Sequence, residues 1–317
     1  MTPHTILAVT DFSTRGDHAL ARAAHLCAEH GAALRLAYFA APGHTPPPDA
    51  ACRLGHHAQQ LGQRHGIRAG AANRLAFGVE HLLAETRCAD LVVWGTEPDR
   101  RLRSLFVGQP VEGLLRACRR PVLVVRRPAS RPYASLLVAV DFSPASRALV
   151  DLGFALNTTA EVELFHAIST ANEGKLRYAD VSEKAILAYR HECRRYAQGR
   201  MFWLTDSYDA RRNRVLSDIG HGDPARQTVV QQQHSRAELI VVGKHPASAM
   251  SDFIAGSVAK RVLRHSRTDV LVVPHDREAA TSASAAIRLA AEPATTRRVR
   301  AGAPRPPRRP NPAAMPG

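Results

Sequence analysis

The residues best suited to chemistry sit where a strand-like run meets a helix start. Leu239-Ile240-Val241-Val242 runs into Gly243-Lys244-His245-Pro246, and nine residues later Gly256-Ser257-Val258 opens a helical pattern. A glycine and a hydroxyl at a helix start offer backbone N–H groups with no intrahelical acceptor, the positive end of the helix dipole and a hydroxyl donor. That combination suits a phosphate. Lys244, His245 and Lys260 add positive charge, whereas Asp252 opposes it and Pro246 removes a backbone donor. Asp141 closes an earlier apolar run, with Ser143 placed to cap the next helix and Pro144 suited to its first position. Phe165-His166-Ala167 closes the run after that.

The elements that must position these groups are written twice. Thr5-Ile6-Leu7-Ala8-Val9-Thr10-Asp11-Phe12-Ser13 returns as Ser135-Leu136-Leu137-Val138-Ala139-Val140-Asp141-Phe142-Ser143. Leu91-Val92-Val93-Trp94-Gly95 returns as Leu239-Ile240-Val241-Val242-Gly243, and the run 121–125 returns as 269–273. Matching blocks in the same order mark a duplicated domain. The first repeat reads as strands at 5–10, 33–39, 67–77, 90–94 and 121–125, alternating with helices through Ala19–Cys27 and at 50–65, 79–87 and 109–118. Short apolar strands alternating with helices predict a parallel sheet covered on both faces, so the fold class is α/β with two tandem open five-stranded parallel sheets. The domains are expected at 4–126 and 135–275, joined by a linker at 127–134. The second repeat gains 18 residues, which predicts a longer crossover helix at about 176–204. In such sheets ligands gather at the carboxyl ends of the strands, where strand order reverses.

The two repeats differ where phosphate would bind. The first keeps Gly95, Pro98, nine residues and Gly108, but then has Gln109 in place of the hydroxyl and Pro110 in place of Val258, which deletes a donor. Glu112 stands where the second repeat has Lys260, and a carboxylate in the first helical turn repels phosphate. The first repeat is therefore expected to be a structural partner.

The formal charge of +15 invites a nucleic-acid reading, but eight arginines against Glu278 and Glu292 place much of it in residues 277–317. That Arg/Pro/Ala-rich tail, 276–317, lacks apolar periodicity and is expected to be disordered, with weak, salt-sensitive nucleic-acid contacts at most. Five cysteines without C-x-x-C spacing fit reduced thiols rather than a disulfide frame or zinc site. No window has the roughly 18–20 apolar residues of a membrane span. His18, His25 and Glu29 share a helix face, with His56-His57 on the next helix, but at spacings unlike zinc ligands, so no metal is expected.

With D-F-S-P-A-S opening the second repeat and the spacing after its fourth strand, the chain resembles the universal stress protein family in tandem form over residues 4–275. Nucleotide-binding members carry G-x-x-G-x9-G-[S/T]; this chain keeps the spacing from Gly243 to Gly256-Ser257 but has Pro246 at the second glycine. The resemblance implies an adenine nucleotide, ATP or AMP, in the second repeat. By it, Asp141 contacts adenine or ribose, Ala167 lies near the adenine-reading position, and Gly243, Lys244, His245, Gly256, Ser257 and Val258 surround phosphate. It also implies pairing of the two domains through 121–125 and 269–273, with further homo-oligomers possible. The function expected is a cytoplasmic stress-response sensor with little or no catalysis and unknown protein partners. The alternative is a stress-response interaction scaffold that binds no nucleotide. The related pyrophosphatase branch would need S-G-G-x-D-[S/T] where this chain has D-F-S.

Overall fold

In the computed structural model, residues 3–40, 45–72, 75–76, 78–96, 110–157, 159–206, 215–244 and 258–274 are described. Pro98, Gly108, Gln109, His245, Pro246, Asp252, Gly256, Ser257 and the tail 276–317 lie outside them.

The first repeat runs β1 (Thr5–Thr10), α1 (Thr14–His30), β2 (Ala33–Tyr38), α2 (Ala50–His65), β3 (Ala69–Ala71), α3 (Val79–Thr86), β4 (Leu91–Gly95), α4 (Pro110–Ala117) and β5 (Val122–Val125). The second runs β6 (Ser135–Ala139), α5 (Ser146–Leu156), β7 (Glu161–Ile168), α6 (Ala171–Tyr178), α7 (Glu183–Asp206), β8 (Val215–His221), α8 (Pro224–Ser235), β9 (Leu239–Lys244), α9 (Val258–His265) and β10 (Asp269–Pro274). The strands are continuous apolar runs because both faces are covered: Ile6 and Ala8 enter one core, Leu7 and Val9 the other. Helices α1, α2, α5 and α7 cover the first face, and α3, α4, α8 and α9 the second.

Each repeat contributes a five-stranded parallel array. The two merge edge to edge in one ten-stranded sheet of order β3-β2-β1-β4-β5-β10-β9-β6-β7-β8. The junction is the one antiparallel pairing in the sheet, with Leu271 opposite Leu123 and Val270 opposite Val124. This is the pairing expected of 121–125 and 269–273. Each edge strand covers the other's unpaired backbone groups.

A buried carboxylate pins the chain beside this seam. Asp269 accepts from the Tyr133 hydroxyl at 2.6 Å and from the backbone N–H groups of Arg126 at 2.8 Å and Arg127 at 3.3 Å. The Arg22 guanidinium, 3.8 Å from Asp269, lies 3.8 Å over the Tyr133 ring. Burial pushes both the Tyr133 hydroxyl and the Asp269 carboxyl up from their ordinary values, and the hydrogen bond from Tyr133 offsets part of the rise at Asp269. Residues 127–134 are thus fastened down rather than spanning open water: Tyr133 is 1% exposed and its carbonyl accepts from Asn157 Nδ2 at 2.7 Å.

Two local expectations are corrected. The added crossover is two helices, not one helix over 176–204. It breaks at Asp180, which holds φ 56°, a left-handed conformation that a short polar residue tolerates. Ser143 does not cap a helix either. α5 starts later, at Ser146, with Ala145 at its cap and no side-chain cap bond. The equivalent Ser13 does cap α1, accepting from Gly16 N.

Candidate functional site

Strand order reverses between β6 and β9, and in the first repeat between β1 and β4. Ala139 is in register with Val242, so Asp141, just past β6, and Gly243, near the end of β9, lie at the same carboxyl edge. Both crevices begin alike. Phe12 and Phe142, one residue past the aspartates Asp11 and Asp141, hold φ of 60° and 61°. A bulky residue in that region is strained, and such strain clusters at ligand sites.

Beyond that point the repeats use different atoms. In the second, Ser146 Oγ donates to Asp141 Oδ1 at 2.9 Å and accepts from the Asp141 backbone N–H at 3.3 Å; Ser143 N donates to the same carboxylate oxygen at 2.9 Å. Asp141 stays exposed, fixed from beneath by the fully buried Ser146. In the first repeat, the place of Ser146 is taken by Gly16 and the hydroxyl comes from Thr10, whose Oγ1 accepts from Phe12 N at 3.0 Å. A Cβ at Gly16 would lie 2.4 Å from Thr10 Oγ1. The hydroxyl thus sits on the strand in the first repeat and on the helix in the second, where Val140 takes the place of Thr10. Sequence matching missed Ser146, although its position opposite Gly16 was the available signal.

In the first repeat the glycine that ends the fourth strand is tightly packed. A Cβ on Gly95 would come within 1.9 Å of the Arg15 carbonyl oxygen, so Gly95 is a close-packing glycine under the opening turn of α1. Above it Phe12 stacks on Tyr38 at 4.8 Å, with the Arg53 guanidinium 4.3 Å from its ring centre. In the second repeat Phe142 stacks on His166 at 4.1 Å, and His166 Nδ1 lies 2.8 Å from the Val140 carbonyl oxygen. Burial lowers the His166 pKa, favouring the neutral imidazole. Ala167 lies within β7, opposite Gly220, and packs against Leu137, Phe165 and Ala237. The second strand thus extends past Ala167, to Ile168.

Of the cations expected near phosphate, Lys244 and Lys260 both bond to the first repeat. Lys244 is buried, and its ammonium donates to the carbonyls of Leu115, Arg116 and Cys118 at the end of α4. The Lys244 ammonium thus reaches into the first repeat, while its backbone ends β9 at the crevice edge. Burial lowers the Lys244 pKa. Arg126 answers from the first repeat, donating to the Leu263 and Ser266 carbonyls at the end of α9. Each repeat thus satisfies the last carbonyls and the negative dipole end of the other's final helix. Lys260 binds Glu112 at 3.2 Å, joining the starts of the same two helices. Val258, the first described residue of α9, is 37% exposed, and Arg261 in that helix holds Asp223 through two 2.7 Å bonds.

The added helices carry a polar cluster that sequence reasoning missed. Glu173, 2% exposed, takes Arg190 at 2.7 Å and His221 at 2.5 Å, tying α6 to α7 and to the carboxyl end of β8. The Arg190 hydrogen bond, helped by His221, holds the Glu173 carboxyl down at about 2. Among the described residues no group of three His, Cys, Asp or Glu could hold a metal ion, and no helix is long and apolar enough to cross a membrane.

Residues 132–274 match the universal stress protein family. A universal stress protein of Mycobacterium tuberculosis is 28% identical over 191 residues, 58% of this chain and 61% of that protein. One of Mycolicibacterium smegmatis is 24% identical over 226 residues, 68% of this chain and 72% of its own length. The chain spans about 61% of the length of the first curated relatives it matches. Among solved structures, a universal stress protein from Archaeoglobus fulgidus is similar with a TM-score of 0.62 at 17% identity, over 86% of this chain and 99% of that one. A Pseudomonas aeruginosa protein of unknown function follows with a TM-score of 0.60 at 20% identity, over 90% and 97%.

Proposed function

Because the chain belongs to the universal stress protein family, we propose that it is a cytoplasmic stress-response protein that binds one adenine nucleotide, ATP or AMP, in its second domain, 135–275. It would act as a sensor rather than as a catalyst, and the first domain, 4–126, is its structural partner. One observation carries this reading: Asp141 is held exposed at the strand-order reversal by the Ser146 hydroxyl and the Ser143 N–H, in the repeat whose final helix lacks the Pro110 and Glu112 that open the matching helix of the first repeat. An oriented carboxylate accepts ribose hydroxyls or an adenine amine. The N–H groups of Gly256, Ser257 and Val258 would take phosphate, with Gly243, the Lys244 backbone and His245 on the opposite side and Ala167 beside the base.

Calorimetric titration of ATP, with AMP for comparison, into the full chain at moderate salt tests this. One site per chain, lost in Gly256→Glu and weakened in Asp141→Ala, is the expected result. Binding that is unchanged in both variants overturns it.

The second reading, a scaffold that binds no nucleotide, draws on the cations. Lys244 and Lys260 are both committed to α4, and Tyr196, Phe202 and Trp203 on α7 are more than half exposed. No heat and no competition at millimolar nucleotide selects that reading.

A further inference from the structure

The polar plug beside the seam has no counterpart at the position related to it by the duplication. Matched through the repeat, Tyr133, Arg22, Asp269 and Arg126 correspond to Pro3, Leu152, Pro121 and Pro274. An aromatic ring, two guanidinium side chains and a carboxylate have become three prolines and a leucine. Those four replacement residues line a cavity of about 280 Å3 beneath α5, between Leu271 of β10 and the turn at the end of α4.

The cavity is apolar in its body and cationic at one side. The α5 residues Ala148, Leu149 and Leu156 line it, together with Arg119 and Arg120 from the turn after α4. Its one carboxylate, Asp90, already accepts the backbone N–H groups of His4 at 2.8 Å and Thr5 at 3.1 Å. Arg119 is exposed, and Arg120 donates to the Arg87 carbonyl at 3.2 Å. The volume lies just below the usual range of ligand pockets, roughly 300–1,000 Å3, which suits a fragment-sized molecule rather than a nucleotide.

We propose that this cavity is a binding site for a small ring-bearing carboxylate. The related position shows what the architecture accepts: a phenol ring under α1, flanked by a guanidinium and a carboxylate. Prolines and Leu152 leave the ring's volume vacant, and a ligand ring recovers the lost apolar contact. The ligand carboxylate meets arginines, which present paired donors to such groups. Pro144 and Ala145, between the two serines that hold Asp141, also line the cavity, so it borders the strand-order reversal while its arginines come from the first repeat.

The probe is 1-naphthoate, titrated into the full chain and followed by calorimetry, with neutral 1-naphthalenemethanol as comparison. One saturable site is expected, with the alcohol binding several-fold more weakly. Leu152→Phe, which fills the cavity, weakens both probes by about tenfold or more, a loss of about 1.4 kcal/mol. Arg119→Glu at the exposed side weakens naphthoate several-fold and leaves the alcohol unchanged. No saturable binding below about 5 mM naphthoate, or equal naphthoate affinity in Leu152→Phe, or loss of both probes alike in Arg119→Glu, overturns the proposal.

Discussion

The two repeats build the same crevice edge and then treat it in opposite ways. The first fills it from inside: Thr10 supplies the hydroxyl, Gly16 makes room for it, and the Arg15 carbonyl rests against Gly95. The second carries the hydroxyl on Ser146, bonded to Asp141, whereas Asp11 of the first is held by Ser13. Beside the seam the roles reverse in kind. There the polar plug of Arg22, Tyr133 and Asp269 occupies one position, and its duplicate is a cavity. A duplicated fold can thus keep every strand while exchanging which of its gaps are filled. The exchange travels in matched sets of residues, because a single replacement would clash or leave a void.

Breaking the plug should have the largest effect. Asp269→Ala strands the buried Arg22 charge and should cost about 3–5 kcal/mol, read by urea unfolding of the whole chain. Pro121→Ala at the duplicate position should stay within about 0.5 kcal/mol if the asymmetry is real, since it carries no buried partner. Next, Gly95→Ala forces the Arg15 carbonyl away and should cost about 1–3 kcal/mol as overpacking. An unchanged stability would mean that the Arg15 carbonyl is not packed against Gly95 as described.

Lys244→Met tests the crosswise clasp. It leaves the Leu115 and Cys118 carbonyls without their donor and should destabilise by about 1–3 kcal/mol, whether or not a nucleotide is bound. If it instead abolishes nucleotide binding with no change in stability, the ammonium belongs to the crevice. A last test is a pH dependence centred on Glu173 of the second repeat. The folded Glu173 carboxyl is held at about 2, below its ordinary 4.5, so its stabilising contribution is complete above about pH 5 and is lost as pH falls toward 2. The difference in melting temperature between the parent protein and Glu173→Gln should therefore be constant above that range and shrink through it. A difference that grows on acidification contradicts the assignment.

What could be read from residue order follows from what is local. Strands buried on both faces are uninterrupted apolar runs, so β1, β4, β6, β9 and the seam strands β5 and β10 declared themselves, with ends displaced by a residue or two. Asp141 and Gly243 were legible as strand-end residues for the same reason. Lys244 was not, because its partners are carbonyls of the other repeat, 126–129 residues away. Ser143 looked like a cap, but the competing bond from Ser146 to Asp141 forms across five residues and delays the helix. The break at Asp180 left no glycine or proline to mark it, since aspartate tolerates the left-handed turn.

The antiparallel seam has a consequence for the order in which the protein assembles. Val122 must find Val272, its partner in register, 150 residues further along the chain. A contact that remote forms late, after the shorter-range pairings within each repeat. During synthesis at about 5–20 residues per second, β5 would wait roughly 7–30 s for its partner strand to be made. Over that interval the newborn first repeat carries an apolar strand edge that the finished protein never shows. The seam is therefore both the last joint to close and the place where a stalled or truncated chain would first adhere to its neighbours.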